Sequence, residues 1–384
     1  MARLAANGKP EWQRTFGGPG RDPLKAAASG RRGQIFLAGV VGAGSADPKT
    51  WIVALNGAGK SLWQRTFDTE GLDVAQVLGA TADGGLVVGG WLERYRLWFV
   101  RLDAAGNTVW HRAFKPEGYV EPYKMIVAPD STFVVVGSST DRSGQADAWL
   151  LIVDPNGRVI RSRTYGGSRH DLFKDALWNG EGDLVLVGKT SSFGRGHQDA
   201  WVVALSPAGG ISWQYAIGGP RSDGAEAVAA LPDGDLLLAG SSSSFGQGLD
   251  DAWVVRFRPE DGGIVWQQTI GSCASDHVDG LALLPSRCSI VLTGSSFAKT
   301  ASERAAWLVR TGLGRPRRSI CGDYASAASS ASVTKTNSFI TSLWSPPEHP
   351  WRFESARTRL EGKNLDAAPD IARCTSTKAA ARNH

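Results

Sequence analysis

The chain has 384 residues, with 47 Gly and 15 Trp but only 2 Met, and 42% of it is hydrophobic against 21% charged. That balance excludes a disordered chain, the glycines follow no Gly-X-Y period, and no apolar run approaches the ~18 residues that cross a bilayer. The formal charge of +5 is spread along the whole length, so no nucleic-acid partner is expected.

Residues 1–10 lack the apolar core of a signal peptide. They are similar to the internal stretch Val100–Gly106, so the chain reads as beginning inside a repeat. That repeat runs on down the sequence. One series is Trp51, Trp98, Trp149, Trp201, Trp253 and Trp307, at steps of 47, 51, 52, 52 and 54. A second is Trp12, Trp63, Trp110, Trp213 and Trp266, with Arg161 and Pro316 in two further slots. The two series keep an offset of 12 or 13 residues, and two series sharing one period mark a repeat architecture.

Each period predicts four short strands. In the period from Asp223, an Ala-rich strand runs to Leu231 and turns at Pro232-Asp233-Gly234. A second covers Asp235–Ser241, a third Ala252–Arg258, and a fourth Ile264–Ile270 after Asp261-Gly262-Gly263. Runs this short, rich in Val, Leu and aromatics and bounded by Gly, Asp, Pro and Ser, are strands, and no segment carries a capped helical period. Four antiparallel strands per ~40–50 residues describe a β-propeller blade. Small Ala side chains suit the crowded innermost strand, and both Trp series read as packing between blades.

An acid heads every first strand: Asp22, Asp73, Glu121, Asp171, Asp223, Asp276 and Asp323. Seven acids predict an all-β, seven-bladed propeller over 1–344, in which 1–16 and about 323–344 share one blade closed by both termini. Residues 345–384 match no part of the repeat and read as an irregular tail. A monomer is expected.

The run Asp199-Ala200-Trp201-Val202-Val203-Ala204-Leu205, followed by Gly209, Trp213, Gly218-Gly219 and Asp223, resembles the β-propeller repeats of bacterial and archaeal exported and lipoprotein-type proteins. Leu102–Trp110 is similar to the tryptophan-docking motif of quinoprotein-like (PQQ-like) propellers, in which the Trp docks one blade on the next. The first resemblance implies a location outside the cytoplasm. The second implies a quinone cofactor, a vicinal cysteine pair, calcium and an Asp base. The sequence departs from that set, because Cys273, Cys288, Cys321 and Cys374 are nowhere adjacent. They also lack the CxxC spacing of a zinc site.

No G-x-S-x-G, H-E-x-x-H or P-loop occurs, and the six His are scattered without a partner nucleophile. Two features could bind. The acids heading the first strands form a ring of oxygen ligands suited to Ca²⁺, or else cap turns as Asp does; basic neighbours at Lys25, Lys124 and Lys174 point to local pairing. The loops Ser191–His197 and Ser243–Gly248 are polar and Gly-rich with one Phe each, suiting a sugar or a protein, or else plain turns with the Phe tucked into the blade. The expectation is a non-catalytic binding or scaffold module without a cofactor, for a protein or glycan partner. The alternatives are a quinoprotein-like oxidoreductase and a lectin-like propeller.

Overall fold

The computed structural model describes residues 1–5, 9–17, 22–44, 48–67, 74–92, 96–116, 118–128, 130–246, 249–271, 275–284, 289–297, 304–312, 332–335 and 363–364. Strands β1 (Ala2–Leu4) and β2 (Pro10–Gln13) form an antiparallel pair. The first blade is β3 (Leu24–Ser29), β4 (Ile35–Val41), β5 (Lys49–Leu55) and β6 (Ser61–Phe67). The second is β7 (Val74–Ala80), β8 (Leu86–Leu92), β9 (Arg96–Leu102) and β10 (Thr108–Phe114). The third is β11 (Tyr119–Val127), β12 (Phe133–Thr140), β13 (Ala146–Val153) and β14 (Val159–Tyr165). The fourth is β15 (Asp171–Trp178), β16 (Leu184–Thr190), β17 (Asp199–Leu205) and β18 (Ile211–Gly218). The fifth is β19 (Asp223–Ala230), β20 (Leu236–Ser242), β21 (Asp251–Arg258) and β22 (Gly263–Ile270). The sixth has three strands, β23 (Ser275–Leu283), β24 (Ser289–Phe297) and β25 (Arg304–Gly312). Two short segments add a fifth strand at outer edges, β26 (Ser332–Lys335) on β18 and β27 (Lys363–Asn364) on β6.

Among the described residues the structure is a β-propeller of six blades, which corrects the expectation of seven. The stretch expected to give the shared blade its inner strands lies mostly outside the described residues. Its one described piece, β26, pairs with the fourth blade, while among the described residues β1 and β2 pair with each other. The acid at 323 misled the count. Every first strand of the six blades lies opposite a glycine of its second strand (Gly39, Gly90, Gly137, Gly188, Gly240, Gly294). Residues 324–344 contain no glycine at all.

That glycine answers a bulge. In every first strand the register slips by one residue, placing Lys25, Gln76, Tyr123, Lys174, Glu226 or Asp279 on the bulge. A bulge bends the strand and brings its backbone toward the partner. A Cβ added at Gly188 would overlap the carbonyl oxygen of Leu172, and one at Gly240 that of Gly224.

The apolar strands bury both faces, and the cores lie between blades. All seven residues of β17 are buried. Val202, Ala204 and Ile217 of the fourth blade pack with Ala225, Leu238 and Trp253 of the fifth, and the same pattern joins the first blade to the second and the third to the fourth. Trp201 lies in the core shared with the third blade and stacks on Phe173 at 5.2 Å. The indole N–H of these third-strand tryptophans stays within its own blade. Trp51 Nε1 donates to Gln64 (3.2 Å), Trp149 to Ser162 (3.1 Å), Trp201 to Gln214 (3.2 Å) and Trp253 to Gln267 (3.0 Å).

The second Trp series reaches outward. Trp12 Nε1 donates to the Gly57 carbonyl (3.2 Å), Trp63 to Ala104 (3.0 Å) and Trp110 to Pro155 (2.9 Å), each on a turn of the following blade. Arg161 takes the Trp slot in the third blade and donates to Ala208 (3.0 Å). The receiving turns carry glycines at φ 72° (Gly59), 80° (Gly106) and 81° (Gly157). A side chain there would be strained by the left-handed backbone and would also meet the indole, since a Cβ on Gly106 would sit 2.8 Å from Trp63.

Gly188→Ala is expected to lower stability by at least about 2 kcal/mol through this backbone overlap. Gly180→Ala, where nothing lies within 4 Å, is expected to stay within about 0.5 kcal/mol of the parent. Urea unfolding of the two variants checks the contrast.

Candidate functional site

The acids expected to ring one mouth stand where their first strands begin. Asp171 is fully buried; its Oδ2 accepts the Gly167 N–H (2.8 Å) and the Ser192 hydroxyl (2.7 Å). Asp223 repeats the arrangement with Gly219 N–H (2.7 Å), the Ser244 hydroxyl (2.7 Å) and the Ser242 hydroxyl. Each carboxylate therefore ties the connection entering its blade to the loop leaving the second strand. Asp22 accepts the Gly42 N–H at 2.6 Å, and Asp276 is buried with its own N–H on the Asp250 carbonyl (2.7 Å). Glu121 departs from the pattern, accepting the Tyr123 hydroxyl at 2.6 Å. Asp73 and Asp323 lie outside the described residues.

A second set of acids was not singled out from the sequence. Asp147, Asp199 and Asp251 stand at or near the start of the third strands, in the repeated triplet Asp-Ala-Trp that signals them. Asp199 Oδ2 accepts the backbone N–H of Arg195 (2.9 Å) and Gly196 (3.0 Å). Each converges with a first-strand acid on one glycine. A Cβ at Gly166 would lie 2.7 Å from both Asp147 Oδ1 and Asp171 Oδ2, and Gly218 and Gly271 are enclosed in the same way by Asp199 with Asp223 and Asp251 with Asp276. Burial pushes the Asp199 and Asp147 carboxyls above the usual carboxylate range, and the charges of Asp223 and Asp171 push the same way. Among the described residues no three His, Cys, Asp or Glu side chains gather to hold a metal ion. The four cysteines all lie outside the described residues.

The loops are built from the same contacts. Phe193 packs on Trp201 (5.5 Å) and Phe245 on Trp253 (5.8 Å), tucked into the blade, while Ser192 and Ser244 are spent on Asp171 and Asp223. His170 Nδ1 accepts the Ala146 N–H at 3.1 Å.

A further set of polar side chains sits on the first-strand bulges. Successive first strands neighbour one another from β3 to β23, and the bulged residues Tyr123, Lys174 and Glu226 of three adjacent blades meet. Lys174 Nζ lies 3.8 Å above the Tyr123 ring and 3.8 Å from Glu226 Oε2. Glu226 Oε1 holds Lys189 at 2.6 Å. Burial depresses the Lys174 ammonium and the Lys189 charge adds to that, while Glu226 and Glu121 oppose it. Burial and the neighbouring Glu121 raise the Tyr123 phenol far above its ordinary range. Lys124 pairs with Asp175 of the next blade at 3.3 Å. The expected local pairing of Lys124 and Lys174 thus runs between blades, not to the acid heading each strand.

Two outcomes follow from these contacts. Asp199 has a folded-state pKa raised above its unfolded value, so its contribution is fully present below the unfolded value, near 3.8, and is lost as pH rises through the raised one. Asp199→Asn is expected to flatten that loss in urea titrations from pH 4 to 7. Because donors already occupy Asp171 and Asp223, millimolar Ca²⁺ is expected to leave the melting temperature unchanged. A rise abolished by Asp171→Asn with Asp223→Asn would instead make them cation ligands.

No protein-family model and no curated protein matches the chain. Among solved structures it is similar to Sqt1 from Chaetomium thermophilum, at 15% identity over 73% of this chain and 69% of that one, with a TM-score of 0.41. A puromycin hydrolase matches at 12% identity and a TM-score of 0.43, over 82% of this chain and 55% of the hydrolase, so the chain spans little more than half of that protein. A thermostable family-43 glycoside hydrolase matches at 11% identity and 0.36, over 64% of this chain and 94% of that one.

Proposed function

We propose that the chain is a non-catalytic binding or scaffold module whose recognition surface is the belt of bulged first-strand residues. One observation carries this reading. Lys25, Gln76, Tyr123, Lys174, Glu226 and Asp279 occupy one register position in six blades. The glycine opposite them repeats in every blade, yet their own chemistry changes from blade to blade. A position that keeps its geometry and varies its side chain suits selective contact with a partner, because the bulge holds the residue outside the sheet's hydrogen bonding. The acids and loop serines, by contrast, are engaged in the turns that hold the blades.

The partner class is a protein or glycan carrying both charges, matched to Lys174 and Glu226. Glycan-array binding and affinity capture are run with the parent chain and with Lys174→Ala and Glu226→Ala. The expected result is loss of the captured partner in both variants, with the melting temperature within a few degrees of the parent. Capture unchanged in both variants would refute the belt. Dye reduction on adding pyrroloquinoline quinone with Ca²⁺ would refute the non-catalytic reading.

A further inference from the structure

One lysine of the belt stands in a setting that favours its free amine. Lys60 and Lys115 are exposed to solvent. Lys124 and Lys189 sit on carboxylates, Asp175 at 3.3 Å and Glu226 at 2.6 Å. Lys174 is in neither state. Its side chain is only 22% exposed, and the carboxylate it approaches, Glu226 Oε2, lies at 3.8 Å, too far for a charged hydrogen bond of ordinary length. Glu226 is held instead by Lys189. Gly224 makes room for that contact, because a Cβ there would meet the Lys189 stem.

The groups facing Lys174 come from three strands. Tyr123 of β11 offers its ring 3.8 Å from the ammonium and turns its hydroxyl to Glu121 Oε2 (2.6 Å). Burial and that hydrogen bond keep the phenol neutral far above its ordinary range. Glu226 comes from β19 and Lys189 from β16. Lys124 and Asp175 form a separate pair on the neighbouring first strands. Two ammoniums therefore share Glu226 in a place partly shielded from water. A lysine that is desolvated and stands beside a second cation releases its proton more readily and becomes a nucleophile. Burial depresses Lys174 in this sense; Glu226 and Glu121 oppose the effect and Lys189 adds to it.

We propose that Lys174 is a covalent capture site for small aldehydes, with Glu226 as the group that moves the proton. Lys174 passes one proton to Glu226, and the freed electron pair forms a C–N bond to the carbonyl carbon. The oxygen takes a second amine hydrogen and the proton returned by Glu226, and leaves as water when the C–O bond breaks. An iminium with one hydrogen on nitrogen remains, and no oxidant or reductant is consumed. An aldehyde suits the cluster because this reaction needs both a free amine and a nearby acid for the departing oxygen. The proposal shares Lys174 with the belt reading but rests on this cluster alone. Its readout needs no partner, so its failure leaves the capture experiment untouched.

The full-length chain is incubated with acetaldehyde and sodium cyanoborohydride near neutral pH, so that each imine is reduced to a stable secondary amine. Peptides are then mapped by mass spectrometry over time. Lys174 is expected to be labelled first, several times faster than the exposed Lys60 and Lys115. In Lys189→Met the second cation is gone and Glu226 is released to Lys174. Labelling of Lys174 is expected to slow several-fold there, with Lys60 unchanged. Labelling of Lys174 no faster than that of Lys60 in the parent chain overturns the proposal, and this comparison needs no variant to fold. A Lys174 rate unaltered by Lys189→Met in a folded variant overturns it as well.

Discussion

Everything in this fold rests on sheets that are apolar on both faces. A strand such as β17, buried along its whole length, cannot face water on either side, so a single blade has no stable existence. Each sheet becomes stable only between two neighbours. At about 25 cal/mol per Å² of apolar surface removed from water, these shared cores dominate the favourable terms. The Trp–turn hydrogen bonds and the glycines of the receiving turns set the spacing at which the faces meet. The carboxylate clamps at Asp171 and Asp223 fix the angle at which the chain enters the next sheet.

The clamps also show where burial has a cost. Two carboxylates converge on one glycine at Gly166, Gly218 and Gly271. Their repulsion and desolvation are offset by backbone N–H and Ser hydroxyl donors, but not wholly, since Asp147 and Asp199 are left with raised pKa values. The belt differs in kind. Its side chains repeat no chemistry from blade to blade, and Tyr123, Lys174, Glu226 and Lys189 are linked to one another without engaging the backbone of the turns.

Much of this was legible in the residues. The fifth blade's strands, read as Asp223–Leu231, Asp235–Ser241, Ala252–Arg258 and Ile264–Ile270, fall within a residue or two of β19 to β22, because Gly and Asp punctuate short apolar runs. The blade number was not legible from the acids, since an acid can head a segment that lacks the glycine a bulged first strand demands. Lys25 and Lys174 stood out as basic neighbours of the acids, but the belt they share with the other blades escaped notice for the reason that makes it distinctive. A bulge is a property of pairing between strands, and Lys, Gln, Tyr, Glu and Asp at one position show no pattern to a search for repeated chemistry. The Asp of Asp-Ala-Trp was visible, but its convergence with the next blade's acid depends on how two connections fold against each other.

Cores that exist only between neighbours make the molecule nearly one-dimensional in its energetics, a chain of coupled units more than a single globule. Loss of order therefore has a direction. The fourth and fifth blades share a core of buried side chains from Val185 to Phe257, while the sixth packs against the fifth blade and carries exposed residues along β25. Amide hydrogens of the sixth blade open to exchange first, and opening propagates inward by whole sheets, so that fraying at one end and a rigid middle coexist in the native state.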